Sequence, residues 1–299
     1  MPRILVIGSS GQIGHELRRT LTPLGEVTTA GRTEADFALD LSYPSQIENV
    51  LREIAAEVVV NAAAYTAVDQ AQSEREAAFA VNSEAPAVMA RMAKQSRALL
   101  VHFSTDYVFS GETKLPYTEE DETGPLGVYG ESKLEGERGI HAVGGRHLIL
   151  RTSWVYGLRG KNFLRTVLRL ATERDSLRIV DDQFGVPNWC RTLAEGTAAV
   201  LSVIRSDPAR FKKISDVYHL SARGETTWCG FASTIVEALQ GEPGILAKRV
   251  EPIATREYPT PAKRPKRSSL DASRLAQDFG VSLPDWRECL QRCLGERNT

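Results

Sequence analysis

Arg3-Ile4-Leu5-Val6-Ile7-Gly8-Ser9-Ser10-Gly11-Gln12-Ile13-Gly14 runs from a short apolar, partly β-branched stretch straight into glycines three residues apart. It reads as a buried strand, a tight turn and the start of a helix, an arrangement that lets a nucleotide pyrophosphate approach a helix N-terminus. The spacing is G-x-x-G-x-x-G and not the G-x-G-x-x-G of the standard dinucleotide fingerprint, so the glycines alone also fit a plain turn. The adjoining residues favour the nucleotide: Gln12 to Leu21 reads as a helix ending before Pro23-Leu24-Gly25, and Glu26 to Ala30 as a second strand, completing a βαβ unit.

The alternation continues outward. Ser45 to Ala55 predicts a helix, Val58 to Ala62 a strand, Ala77 to Ser96 a long amphipathic helix, Leu99 to Ser104 a strand and His147 to Thr152 another. This pattern predicts an α/β fold, a doubly wound, Rossmann-like parallel sheet covered by helices on both faces. The second half is less regular, with helices expected over 163–173, 191–205 and 228–240, short strands at 177–180, 218–220 and 250–253, and a final helix after Pro284. From Glu257 the Pro-rich, basic run to Arg267 reads as loop. The expected division is a dinucleotide-binding domain of residues 1–155 and 181–220 and a smaller α/β substrate-binding domain of 156–180 and 221–299, with the ligand in the cleft between them.

With 299 residues, 42% of them hydrophobic, the chain can bury a sizeable core. Lys and Arg number 37 against 38 acidic residues, so no global charge draws it to nucleic acid or anionic lipid. No apolar run is long enough to span a membrane and no leader is visible, which leaves a small-molecule substrate and a cytoplasmic location as the expectation. Four cysteines without CxxC spacing or a histidine cluster read as thiols rather than disulfides or a metal site.

The chemistry-bearing residues fall where strands end. Thr29-Ala30-Gly31-Arg32 lacks the carboxylate that usually meets an adenine ribose, and Arg32 suits a 2′-phosphate, favouring NADPH with NADH still usable; the alternative is a solvent-facing arginine. Asn61 can tie down the loop of small residues after it. Thr105 offers a hydroxyl to a carbonyl oxygen gaining charge. Tyr129 and Lys133, four apart on a helix, share one face, so that an ammonium there would make a phenol a usable proton donor or acceptor.

The motifs Asn61-Ala62-Ala63-Ala64-Tyr65-Thr66, Ser104-Thr105-Asp106-Tyr107-Val108-Phe109, Tyr129-Gly130-Glu131-Ser132-Lys133, Arg151-Thr152-Ser153-Trp154-Val155-Tyr156 and Asp182-Gln183-Phe184-Gly185-Val186-Pro187 carry a more specific message. With them the chain resembles the extended short-chain dehydrogenase/reductase superfamily and, within it, the dTDP-4-dehydrorhamnose reductase family, over nearly its whole length. The resemblance implies reduction of the C4 keto group of dTDP-4-dehydro-β-L-rhamnose to dTDP-L-rhamnose. It implies cofactor contacts from Gly11, Gln12, Ile13, Asp40, Leu41, Ala64, Tyr65 and Thr66, catalysis by Tyr129, Lys133 and Thr105, and substrate contacts from Asp106 and Trp154. Arg264, in the basic run, is expected near the substrate diphosphate, the alternative being a solvated loop. Three departures stand out: Tyr65 replaces a His of some relatives, Asn188 replaces the usual Thr, and Arg191 stands where certain relatives place an acid of an interfacial magnesium site that also involves Glu16. No metal is therefore expected at a specific site, and a monomer and a homodimer both remain open. Rival readings are another nucleotide-sugar epimerase, reductase or dehydratase, or a non-catalytic NADP-binding regulatory subunit resembling methionine adenosyltransferase β. Dehydratases of the superfamily commonly place Asp-Glu after the central Thr, whereas here Asp106 precedes Tyr107.

Overall fold

The computed structural model describes residues 1–207, 209 and 215–298; the parts of the expected 181–220 and 221–299 segments at 208, 210–214 and 299 lie outside the described residues. The first strands are β1 (Arg3–Ile7), β2 (Glu26–Gly31), β3 (Phe37–Ala38), β4 (Val58–Asn61), β5 (Leu99–Thr105) and β6 (His147–Thr152). Short strands β7 (Val155–Tyr156), β8 (Ser176–Val180), β9 (Phe184–Gly185) and β10 (Asn188–Trp189) come next, then β11 (Ser215–His219), β12 (Thr226–Thr227) and β13 (Arg249–Ile253). The main helices are α1 (Gln12–Thr20), α2 (Pro44–Ile54), α3 (Arg75–Phe79), α4 (Ala85–Ser96), α5 (Val128–Val143), α6 (Phe163–Glu173), α7 (Cys190–Ser206), α8 (Trp228–Ala238), α9 (Ser273–Phe279) and α10 (Trp286–Gly295).

Seven strands form one parallel sheet in the order β11-β6-β5-β4-β1-β2-β3. The chain moves outward from β1 in one direction and then returns to add β4, so the crevice lies beyond the carboxyl ends of β1 and β4, where Ile7 registers with both Ala30 and Asn61. Central strands buried on both faces need continuous apolar residues; β5, Leu99–Thr105, is buried throughout. One face packs Leu17 and Leu21 of α1 against Leu193 and Val200 of α7. The other packs Ile47, Val50, Leu51 and Ile54 of α2 against Val88 and Met89 of α4. Those four positions of α2 make a single stripe, and each such burial contributes about 1.5–3 kcal/mol. The doubly wound sheet expected from the sequence is thus present.

A third core joins Leu164 and Val167 of α6, Phe231 and Ile235 of α8 and Trp286 and Leu290 of α10, and it also draws Val186, Trp189 and Cys190 from the 181–220 stretch. One expectation needs correction. The helix read as continuous over 77–96 begins at Arg75 and is broken by a π-helical turn, Ala80–Glu84, because the buried Asn82 bonds backbone outside the helix. The basic run is loop, as expected, but it is pinned by main-chain bonds: Phe184 donates its N–H to the Lys266 carbonyl at 2.7 Å, and Ser268 returns its N–H to the Phe184 carbonyl at 2.8 Å. Composition hid this, since the ladder uses only main-chain atoms and Lys263 and Lys266 still point to solvent. Helix α9 was not anticipated.

Candidate active site

Strand β1 delivers the chain into the glycine turn. Gly8 has φ +85°, and a Cβ there would lie 2.7 Å from the Ala63 nitrogen; a Cβ on Gly14 would lie 2.1 Å from the Gly8 carbonyl oxygen. These two glycines close the turn on β4 and α1, while Gly11 occupies the N-cap of α1. No side chain caps that helix and no acid stands in its first turn, so the N–H groups around Gln12 and Ile13 are available to an anion. The donor set fits a pyrophosphate. Gln12 is fixed from outside the turn: its Oε1 accepts from Asn162 Nδ2 at 2.8 Å.

At the edge of this crevice Arg32 is exposed, and among the described residues it forms no ion pair. Glu34, two residues along the chain, pairs with Arg159 at 3.7 Å. Asp36 has turned away, accepting from the Thr29 N–H and hydroxyl at 2.9 and 2.8 Å, and these bonds hold its carboxyl below the usual range. Asp40 accepts from the Ser42 N–H at 2.9 Å beside the buried Leu41, just after β3.

Ala64, Tyr65 and Thr66 leave the end of β4. The side chain of Asn82 grips this loop at both main-chain atoms of Tyr65, accepting from its N–H at 2.9 Å and donating to its carbonyl at 3.0 Å. Asn82 Nδ2 also donates to Ser132 Oγ on α5 at 3.0 Å. The π turn that carries Asn82 approaches α5 so closely that a Cβ on Gly136 would meet the Asn82 carbonyl oxygen at 2.1 Å. The Tyr65 hydroxyl points to Glu74 Oε2 at 2.8 Å.

Thr105 ends β5 and caps the turn Asp106–Val108, its Oγ1 accepting from the Tyr107 N–H at 3.2 Å and donating to Asp106 Oδ1 at 3.0 Å. Burial pushes the Asp106 carboxyl up to about 7, against the pull of hydrogen bonds from Ser268 and Thr105. Tyr129, in the first turn of α5, packs edge-on to Tyr107 with ring centroids 5.7 Å apart. Burial pushes its phenol up to about 12, while a hydrogen bond with Thr105 opposes the rise. The structure therefore brings Tyr129 close to the hydrogen-bonded pair Thr105 and Asp106.

Lys133 departs from expectation. It is 2% exposed, and its Nζ bonds the Phe103 carbonyl at 2.6 Å and His102 Nε2 at 3.2 Å, not the Tyr129 hydroxyl. Burial lowers the Lys133 amine to about 8, offset in part by Glu137. The phenol pKa is raised rather than depressed, because desolvation outweighs the nearby hydrogen bond and the amine is turned into the sheet.

Trp154, just past β6, has φ +42°, a backbone region that bulky residues enter at a cost, and stacks on Trp228 at 3.5 Å between ring centroids. Asn188 uses its whole amide here: Nδ2 donates to the Ser153 and Val186 carbonyls at 2.9 and 3.0 Å, and Oδ1 accepts from the Ala222 N–H at 2.6 Å. Arg264 is committed to Asp69, at 2.8 Å, and to the Ala262 carbonyl, at 3.0 Å. It stands beside Ala262 and Lys263, which border a pocket with Tyr107 and Tyr129. Arg191 ion-pairs with Glu16 at 3.0 Å and with Glu296, and no group of three or more metal-ligating side chains occurs among the described residues.

Sequence reasoning missed Asn82, His102 and Ser268. A polar residue inside an otherwise apolar run was the available signal for the first two; Ser268 gave none.

Residues 2–298 match the family model described as RmlD substrate binding domain. A dTDP-4-dehydrorhamnose reductase of Burkholderia thailandensis is 46% identical over 98% of this chain and 98% of its own. Among solved structures, a dTDP-4-dehydrorhamnose reductase of Clostridium acetobutylicum superposes with TM-score 0.89 at 34% identity, covering 99% of this chain and 100% of the other. One from Bacillus anthracis, in complex with NADP, superposes with TM-score 0.86 at 31% identity, covering 99% of each. The chain belongs to the RmlD substrate binding domain family, alongside the dTDP-4-dehydrorhamnose reductases that it matches from end to end.

Proposed function

We propose that this protein is an NADPH-dependent oxidoreductase that reduces the C4 keto group of dTDP-4-dehydro-β-L-rhamnose to give dTDP-L-rhamnose, with NADH as a usable substitute. The observation that carries the reading is the Tyr129–Thr105–Asp106 group at the carboxyl end of β5, in a chain that matches reductases of this name along its length. The Bacillus anthracis relative's NADP supports the choice of cofactor.

Reduction of a ketone requires a hydride at carbon and a proton at oxygen. The nicotinamide cofactor, when bound, supplies the hydride. Gly11, Gln12 and Ile13 hold its pyrophosphate at the uncapped start of α1, Asp40 and Leu41 flank the adenine, Ala64, Tyr65 and Thr66 line the bound chain, and Arg32 faces the 2′-phosphate. Tyr129 gives its phenolic proton to the C4 oxygen; with its pKa pushed up to about 12 the phenol is fully protonated at neutral pH, the state a reduction needs. Thr105, whose one hydroxyl hydrogen is given to Asp106 in the free protein, turns that hydrogen to the charge developing on the C4 oxygen when the substrate is bound. Lys133 lies one turn along α5, where its charged form stabilises the phenolate left after transfer and bonds the nicotinamide ribose. Trp154 walls the sugar side, and Arg264, through its salt bridge to Asp69, shapes the segment over the substrate diphosphate.

In this reading residues 1–155 and 181–220 hold the dinucleotide and 156–180 and 221–299 the sugar nucleotide. The protein acts in the cytoplasm as a monomer or homodimer. The assay is oxidation of NADPH on addition of dTDP-4-dehydro-L-rhamnose, with dTDP-L-rhamnose as the product. Binding of both ligands without turnover would instead favour a regulatory subunit.

A further inference from the structure

Below the site, a line of buried polar atoms runs from the loop after β4 to α5. The Ala63 N–H donates to Asn61 Oδ1 at 3.1 Å, and because a backbone N–H can only donate, this contact fixes which way the Asn61 amide faces. Its Nδ2 is then the atom 3.0 Å from His102 Nδ1, and it has only hydrogens to offer. His102 Nδ1 must therefore be bare, and a neutral imidazole bare at Nδ1 carries its proton on Nε2. Nε2 lies 3.2 Å from Lys133 Nζ. An ammonium has three hydrogens and no lone pair, so it would meet that N–H donor to donor. A neutral amine accepts from it and still donates to the Phe103 carbonyl, 2.6 Å away.

We infer that His102, locked as its Nε2–H tautomer by Asn61, is a positioning residue that holds Lys133 as a neutral amine in the cofactor-free protein. The surroundings agree. His102 is completely buried, and burial holds its imidazole well below the ordinary range, which keeps the ring neutral. Beside His102 on β5, the charged group acting on Lys133 is Glu137, one turn along the same helix, and its carboxylate is held by Arg151 of β6 at 2.7 Å. The carboxylate one turn away is thus already matched. Charging Lys133 requires either that Nζ leave His102 or that His102 move its proton to Nδ1 and break with Asn61, the residue that fixes Ala63 ahead of the cofactor loop. The charge on Lys133 and the set of that loop are therefore coupled.

The inference concerns the cofactor-free chain; only its consequence for catalysis rests on the proposed reduction, so the test uses no substrate or cofactor. Long-range proton–nitrogen correlation on ¹⁵N-histidine-labelled protein at pH 8.5 reads the tautomer directly, with the His102 signal identified by its loss in His102→Gln or, should that variant not fold, by its shift in Lys133→Met. The expected result is a bare Nδ1 and a protonated Nε2; an Nδ1–H tautomer or an imidazolium overturns the inference. In ¹³C-lysine-labelled protein, His102→Gln offers Lys133 an acceptor carbonyl in place of the N–H and should raise its titration midpoint by about one pH unit or more. An unchanged midpoint in a folded variant would show that His102 only fills space.

Discussion

Helix α5 carries Tyr129, Lys133 and Glu137 at successive turns of one face, and two buried basic side chains along it, Arg151 from β6 and Lys133 itself, are matched in different ways. Arg151 meets Glu137 through Nε and Nη2 at 3.0 and 2.7 Å, a two-point pair with both side chains almost fully buried. Lys133, one turn nearer the site, is buried as deeply but its two heteroatom partners, His102 and the Phe103 carbonyl, are neutral. A guanidinium stays charged and needs a matching carboxylate when desolvated, whereas an amine can lose its proton. The inner end of the helix therefore holds a fixed charge that locks α5 to β6, and the outer end holds one able to change.

Breaking the fixed charge should have the largest effect on stability. Glu137→Gln leaves Arg151 buried without a counter-charge and should cost about 3–5 kcal/mol, read as a lower denaturation midpoint; a loss below about 1 kcal/mol would mean that water reaches the pair. Tyr129→Phe removes only the proton at the outer end, so the protein should fold normally and bind NADPH while turnover drops about 100-fold or more. Near-native turnover in a folded Tyr129→Phe protein would remove Tyr129 as the acid.

The changeable charge is sharpened by pH. Lys133 sits at about 8 in the folded protein, below its ordinary value, so between about pH 8 and 10.5 the unfolded chain binds more protons than the native one. Stability measured relative to Lys133→Met should accordingly rise with pH across that window, and a flat difference would show Lys133 hydrated. Asp106 has the opposite sign, its folded value of about 7 lying above the ordinary carboxyl. Its contribution is complete below about pH 4 and is lost as pH rises through 7, so Asp106→Asn should gain on the wild type over that interval. Away from the helix, Arg32→Ala tests an exposed charge and should give the smallest change, a selective fall in kcat/KM for NADPH of about tenfold with NADH little altered. Equal losses for both cofactors would reduce Arg32 to a surface residue.

Features set by nearby residues were legible in the sequence. Gly8 to Gly14 announce a turn and a helix within one short stretch, and the four-residue spacing of Tyr129 and Lys133 places them on one face by helix geometry alone. The direction in which Lys133 points was not legible, because it depends on His102, a residue thirty-one positions earlier on another strand. Asp106 likewise owes its raised pKa to burial, which its neighbours in the sequence do not show. The helix break at Asn82 lies between these cases: an asparagine in the middle of an apolar face signals a polar partner, but only the fold shows that the partner is the backbone of Tyr65.

The segment from Pro265 to Leu270 joins Phe184 and Asp106 from far along the chain. A nascent chain has made every strand of the main sheet by residue 219, yet the carbonyl of Lys266, the N–H of Ser268 and the hydroxyl of Ser268 near Asp106 arrive only after it. Until then Phe184 lacks its main-chain partners and the Asp106 carboxyl lacks its cover. All strands of the sheet and the glycine turn thus precede, in order of synthesis, the segment that covers Asp106.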